Sequence, residues 1–291
     1  FQSMGSLKAE KGSVEQKISD LYKMGMDSVR LNEEALAPVK EDLAKIYAIT
    51  DLQTMIPVLV ELHNSVSNPL FGLGVDADLM NSTQNILYAQ QSGLGMGNRD
   101  YYLDEENASK REGYVAFLTK AFELAEVEGA AEKAAAVLDF ETKMAKDFRS
   151  MVELRDISAN YNPTTREAFV SRYDAIDWES YFAAVGIGEF EQMVVGQPEV
   201  LDAVNKLLKS TPIEVVKDYL AAGYLRSAAS YLNDELNAAS FDFFGRQMSG
   251  AQQQRPRWKR AMGVPNSILG EAVGKMYVAK FFPEEDKVRM T

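Results

Sequence analysis

The sequence has no cysteine and a single histidine, His63. Without thiols there can be no disulfide, no thiolate nucleophile and no cysteine metal ligand. One imidazole cannot furnish the two or three histidines that most hydrolytic zinc sites use, and a Ser-His-Asp triad would have only His63 to draw on. Basic residues are also in deficit. Lys and Arg number 31 against 43 Asp and Glu, for a net charge of -12, so phosphate backbones and anionic lipid surfaces are repelled and nucleic acid is not an expected partner. No apolar run approaches the roughly 20 residues that cross a bilayer, so no membrane span is expected, and no signal peptide is visible. The absence of disulfides is neutral on compartment.

What is present suits a packed helical protein. The 291 residues, 46% of them hydrophobic, can bury one large core or two small ones. Residues 1–12 read as a tag remnant and linker, which leaves 13–291 as the folded domain. Apolar spacing of three and four dominates: Leu36, Val39, Leu43 and Ile46 form one stripe, Tyr114, Phe117, Leu118 and Ala121 another, and Val137, Met144 and Phe148 a third. Capping signals are expected at Thr50–Gln53, Thr164–Glu167, Asp177, Pro198 and Thr211–Glu214, the last opening a helix that could run to Phe244. Pro57 is expected to shift or bend its helix, and a final helix is expected over about 266–281. Segments 71–76 and 85–91, with a turn at 78–83, read as strands. The expected fold class is therefore mainly α, a multi-helical domain with one small β-hairpin near residues 71–91.

Few residues invite chemistry. His63 falls on an apolar stripe and reads as a packed core histidine rather than a base or ligand. Gly93-x-Gly95-x-Gly97 lacks the spacing of a phosphate loop and reads as a tight backbone turn. Next to it, Arg99, Asp100, Tyr101 and Tyr102 put a guanidinium, a carboxylate and two phenols together. They suit either an anchor for the loop or a seat for a substrate carboxylate. Arg155 and Asp156, followed by Tyr161 and Asn162 before Pro163, offer similar groups in a turn. Glu141, Glu153 and Asp156 could form a carboxylate pair of the kind a glycosidase needs, but no spacing fixes one. Arg255, Arg257, Lys259 and Arg260 around Trp258 suit a local salt-bridge patch or a domain contact. Gly270 and Gly274 suit close helix packing.

Taken in order, several of these segments resemble the N-terminal part of the neprilysin/endothelin-converting-enzyme family of zinc metallopeptidases. The resemblance starts with Ile18 to Asp27 and continues through Asn68-Pro69-Leu70-Phe71 to Gly93-Leu94-Gly95-Met96-Gly97-Asn98-Arg99-Asp100-Tyr101-Tyr102-Leu103. It goes on through Arg155-Asp156, Tyr161-Asn162-Pro163, Trp258-Lys259-Arg260 and Gly270 to Val278, ending with Phe282-Pro283-Glu284-Glu285-Asp286-Lys287. Gly97 departs from the pattern, since the family more often has proline there, and the expected consequence is only a change in loop stiffness.

The resemblance implies a zinc-dependent metalloendopeptidase acting on small peptides, with zinc held in the parent enzyme by the two histidines of an H-E-x-x-H helix and a downstream glutamate, neither of which this sequence contains. It implies that 13–291 is a helical cover truncated before the catalytic domain and inactive alone. The missing catalytic domain and small peptides are its expected partners. No residue here carries over as catalyst or metal ligand, and Arg99, Asp100, Tyr101, Tyr102, Arg155, Asp156, Tyr161 and Asn162 become expected cavity or domain-contact positions. An extracytoplasmic, bacterial setting is expected from family habit. The rival expectations are a stand-alone helical protein- or peptide-binding module and a carboxylate-based hydrolase.

Overall fold

The computed structural model describes residues 5–65 and 67–282. Residues 1–4, at the head of the expected tag remnant, and 283–287, at the end of the last resembling motif, lie outside them. In chain order the structure begins with α1 (Val14–Met26) and α2 (Ser28–Glu34), followed by α3 (Lys40–Tyr47) and α4 (Leu52–Ser65). The strands β1 (Phe71–Asp78) and β2 (Asn81–Gln91) come next, then α5 (Asp100–Leu103), α6 (Ala108–Leu124) and α7 (Ala130–Ala145). After these come β3 (Asn162–Thr165), α8 (Arg166–Arg172), α9 (Trp178–Ala184) and β4 (Gln192–Val195). The chain closes with α10 (Pro198–Ser210), α11 (Ile213–Ala228), α12 (Asp234–Ser240), α13 (Arg257–Ala261), α14 (Gly263–Ile268) and α15 (Gly270–Phe281). Helix dominates, as the apolar periodicity predicts.

The described residues fall into two compact units, those within Phe1–Ala35 and Ala251–Thr291 and those within Leu36–Gly250. The larger holds one continuous core in which the α3, α6, α7 and α11 stripes meet, together with the aromatic group Phe71, Phe169, Trp178 and Phe182. The smaller has its own core of Ile18, Tyr22, Ala261, Met262 and Val273, with Trp258 packed against it.

The expected hairpin is part of a larger sheet. Four strands run in the order β1-β2-β4-β3: β1–β2 and β4–β3 are antiparallel, and β2–β4 is parallel. The hairpin turn is shorter than expected, with only Leu79 and Met80 between the strands. β3 and β4 are absent from the expectation because each is only four residues long, β3 contains Pro163, and the parallel pairing is non-local.

Helix boundaries show three further differences. Asp51, not Thr50, caps α4: its Oδ1 accepts from the Thr54 amide at 2.8 Å, while Thr54 Oγ1 accepts from the Asp51 amide at 3.0 Å. The helix continues through Pro57. Thr165, not Thr164, caps α8, because Thr164 is committed to the sheet. The helix begun at Ile213 stops at Ala228. The extended backbone of Leu232 and a fresh cap at Asn233 start α12, and a π-helical stretch over Phe241–Met248 follows it. Asp177 and Pro198 open α9 and α10 as predicted.

In the smaller unit the close helix approach is at Gly25, where an added Cβ would lie 2.9 Å from Ala261 Cβ and 3.0 Å from its Cα. Gly270 and Gly274, read from sequence as packing glycines, instead have nothing within 4 Å of such a Cβ. The basic cluster serves this unit internally: Arg260 Nε donates to Arg255 O, Arg257 Nη1 donates to Gly25 O, and Lys259 lies over the Trp258 ring. Thermal unfolding is expected to separate the two kinds of glycine. Gly25→Ala forces α1 from α13 and costs about 1–3 kcal/mol, whereas Gly274→Ala in an open helix interior is neutral or gains up to about 1 kcal/mol.

Candidate functional site: a glycine loop seated on a buried carboxylate

The most distinctive sequence motif, Gly93 to Leu103, lies at the base of the hairpin. Its seat is Glu141 on α7, only 2% exposed. Tyr102 Oη donates to Glu141 Oε2 at 2.6 Å, and Tyr114 Oη donates to Oε1 at 3.1 Å. Tyr102 in turn accepts from the Met96 amide at 2.8 Å, so the carboxylate holds the loop backbone through a phenol. A third phenol closes the lattice: Tyr219 Oη donates to Gly93 O at 2.8 Å and accepts from the Leu70 amide at 3.0 Å. One hydroxyl thereby ties the entry of β1 to the exit of β2. The entry is strained, since Leu70 is fully buried at φ 68°, a conformation that needs such fixation in a residue with a side chain.

The glycines answer to this seat. A Cβ on Gly95 would lie 1.8 Å from Tyr114 Oη, and one on Gly93 would lie 2.3 Å from Tyr219 Oη. Gly97 has open space but stands at φ 85°, which a proline ring cannot adopt. A proline at this position would require a different local backbone.

The sequence-derived positions divide into inner and outer sets. Tyr102 is buried in the lattice. Arg99 Nη1 donates to Phe148 O at 2.6 Å, Asp100 accepts from the Asn98 side-chain amide, and Tyr101 lies under the Lys110 ammonium, all half-buried. Tyr161 Oη donates to Asp78 Oδ1 at 2.8 Å, and Asn162 Nδ2 donates to Val195 O at 3.0 Å, so these two fasten the sheet. Arg155 and Asp156 are exposed, with Asp156 accepting from the Ala159 amide within its own turn. The suggested carboxylate group does not assemble: Glu141 is enclosed, whereas Glu153 is exposed and taken up by the Ser150 amide and hydroxyl. Tyr114 and Tyr219 are the members that the sequence did not reveal. Their signal was Glu141 itself, which falls on the buried stripe Val137, Glu141, Met144, Phe148, where a carboxylate requires buried donors.

His63 is a structural residue on both sides of its ring. Tyr181 Oη donates to Nδ1, and Nε2 donates to Pro69 O at 2.9 Å, with the Phe71 ring edge-on at 4.8 Å. Burial pushes its pKa below the ordinary value despite the Pro69 carbonyl. Both nitrogens being engaged, His63 does not fit a metal. Among the described residues no group of three or more His, Cys, Asp or Glu is placed to hold one.

Burial pushes Glu141 from an ordinary 4.5 up to about 7, against the pull of Tyr102, Arg226, Tyr114 and the Gly95 amide. The folded state thus holds a proton that the unfolded chain releases earlier. The stability this confers is complete below about 4.5 and is lost as pH rises through about 7. His63 has the opposite sign, its contribution being present above 6.5 and lost as pH falls below it. In urea unfolding, the stability difference between the protein and Glu141→Gln is expected to shift against the parent by on the order of 2–3 kcal/mol from about pH 5 to about pH 8. A Gly95→Ala variant is expected to lose about 2–4 kcal/mol at any pH.

The profile described as Peptidase family M13, for its N-terminal region, matches residues 3–291. Endothelin-converting enzyme 1 of Bos taurus is 28% identical over 297 residues, covering 96% of this chain and 39% of that protein. Neutral endopeptidase of Lactobacillus helveticus is 26% identical, covering 92% and 41%. Among solved structures, the Mycobacterium tuberculosis zinc metalloprotease Zmp1 in an open state superposes with a TM-score of 0.91 at 30% identity, covering 99% of this chain and 45% of that one. The chain spans about two fifths of the length of the curated relatives it matches. No helix among the described residues is long and apolar enough to cross a membrane. The chain belongs to peptidase family M13 and corresponds to the N-terminal part of its zinc metallopeptidases.

Proposed function

We propose that this chain is the non-catalytic helical cover of a zinc-dependent metalloendopeptidase that cleaves small peptides. In this reading residues 13–291 form the N-terminal cover domain, enclose the active-site cavity and restrict the size of what enters. A catalytic part elsewhere in the parent protein supplies the zinc and its ligands. The observation that carries the reading is the near-complete match of this chain to less than half of each zinc metallopeptidase relative. The engagement of both His63 nitrogens supports it, because the one imidazole available is spent on holding the entry of β1.

Steric selection needs a body that does not yield, and the Glu141 lattice and its aromatic surroundings supply one. Arg155 and Asp156, exposed on a turn braced by Ser150–Glu153 and by Arg149 to Asn160, are suited to the contact with the catalytic part. Arg99, Asp100 and Tyr101 are suited to the cavity side of the loop, while Tyr102, Tyr161 and Asn162 act by holding those surfaces in place. A bacterial setting accords with the lack of cysteine and with a Lactobacillus helveticus relative, and an extracytoplasmic one follows from family habit alone.

The test pairs this chain with the full-length parent, each supplied with zinc and a fluorogenic peptide. The parent is expected to retain stoichiometric zinc and cleave the peptide, and the chain alone to do neither. Tight one-to-one zinc with turnover by 1–291 would overturn the proposal.

A further inference from the structure

The two edges of the sheet are treated differently. The β3 edge is four residues long and carries Pro163, one of the devices by which natural sheets block further pairing. The β1 edge is eight residues long, contains neither proline nor lysine, and pairs only with β2 among the described residues. An edge of that kind is a template for another strand.

β1 is also anchored at both ends. At its base, Tyr219 fixes the Leu70 amide and His63 fixes the Pro69 carbonyl. At its tip the register shifts between Ala77 and Asp78, and Tyr88 pins the bulge by accepting from the Leu79 amide at 3.1 Å and donating to Ala77 O at 3.2 Å. Tyr161 and Gln84 secure the Asp78 carboxylate from the side. Between these anchors the strand offers two glycines, Gly72 and Gly74. Above Gly74 there is nothing within 4 Å, and above Gly72 only ordinary contact with Ser92 and Gln90. Glycine inside a strand marks a place where another backbone or a ligand comes close.

Each face of the strand has space for side chains. Gly72 and Gly74 share a face with their cross-strand partners Gln90 and Tyr88, and there a trough of about 490 Å³ is rimmed by Asn68 and Ser92. On the other face, Val75 and its partner Leu87 line a slot of about 180 Å³ with Val185 and Ile187. Val75, Leu79 and Met80 are exposed along the same hairpin. The charge there is of one sign. Asp76 accepts only from the Ala77 amide and forms no ion pair among the described residues, while Asp78 is already occupied.

We infer that the free edge of β1 is a strand-addition site for an extended peptide in which apolar residues alternate with basic ones. The incoming backbone continues the sheet beside Gly72 to Asp76, its apolar side chains fill the slot, and a basic residue meets Asp76. The inference rests on the reading of the chain as part of a peptide-cleaving enzyme. It assigns this part a direct hold on extended peptides, independent of metal or turnover.

The test uses the 1–291 protein and a short fluorescein-labelled peptide alternating valine with lysine, read by fluorescence anisotropy and by hydrogen–deuterium exchange. Saturable binding with slowed exchange confined to amides 72–77 is expected. N-methylation of alternate peptide nitrogens is expected to abolish binding, and a valine–glutamate analogue to bind more weakly. Val75→Lys, which places a blocking charge on the edge, is expected to weaken capture by about tenfold or more. Should that variant misfold, the N-methylated peptide decides the question against unaltered protein. Absence of saturable binding would overturn the inference, as would undiminished binding of the N-methylated peptide. Protection of 72–77 that rises with protein concentration in the absence of peptide would assign the edge to a second copy of the chain and overturn it too. None of these outcomes depends on zinc, so failure here leaves the cover reading to its own test.

Discussion

The organisation of the larger unit depends on one buried carboxylate. Glu141 sits where the helical stripe of α7 should be apolar, and the cost of placing an acid there is met by phenol donors from two other segments. Because Tyr102 belongs to the loop it supports and Tyr114 to α6, the lattice joins loop and helices through a single acid. Tyr219 on α11 extends the arrangement to both strands at the base of the hairpin. The glycines of the loop follow from this as a steric requirement, since Gly93 and Gly95 lie where any side chain would collide with a phenol oxygen. A buried network of this kind demands complete pairing, which makes it specific: few alternative packings satisfy the same acid.

The same rigidity bears on both roles proposed for the chain. A cover that screens by size must keep its shape, and a strand that accepts another is best fixed in place before the partner arrives. The hairpin meets both needs. His63 and Tyr219 hold its base, and Tyr88, with Tyr161 acting on Asp78, holds its tip. Its outer edge meanwhile lacks the proline that guards the opposite side of the sheet. Polar groups that sequence alone suggests as chemical actors are spent here on geometry: the lone imidazole, the loop arginine and Tyr102 all hold backbone.

Legibility in the sequence followed the range of the interactions. Asp177 and Pro198 announced their helices because a cap acts within one turn of chain, and the stripes of α6 and α7 were plain because burial repeats with the helical period. Errors of one residue at Thr50 and Thr164 arose where two adjacent polar residues could each cap and tertiary context chose between them: the reciprocal bonding of Asp51 with Thr54 in one case, a strand that absorbed Thr164 in the other. The long helix expected beyond Ile213 failed at Leu232 because nothing in the local pattern marks the extended backbone there. The order of motifs along the chain carried the family, since collective spacing survives even where each motif alone is weak.

By itself the sequence determined the helical class, the absence of a thiol or multi-histidine centre, and the position of the glycine loop, because composition, periodicity and backbone freedom are properties of local chain. Only the tertiary structure decided that Glu141 is the seat of that loop, that a hairpin grows into a four-stranded sheet through a parallel pairing, and that Gly25 rather than Gly270 or Gly274 marks the close helix crossing. Each of these depends on which distant surfaces come together. A carboxylate, a glycine or a short strand carries the same local signal whether it is buried, crossed or exposed.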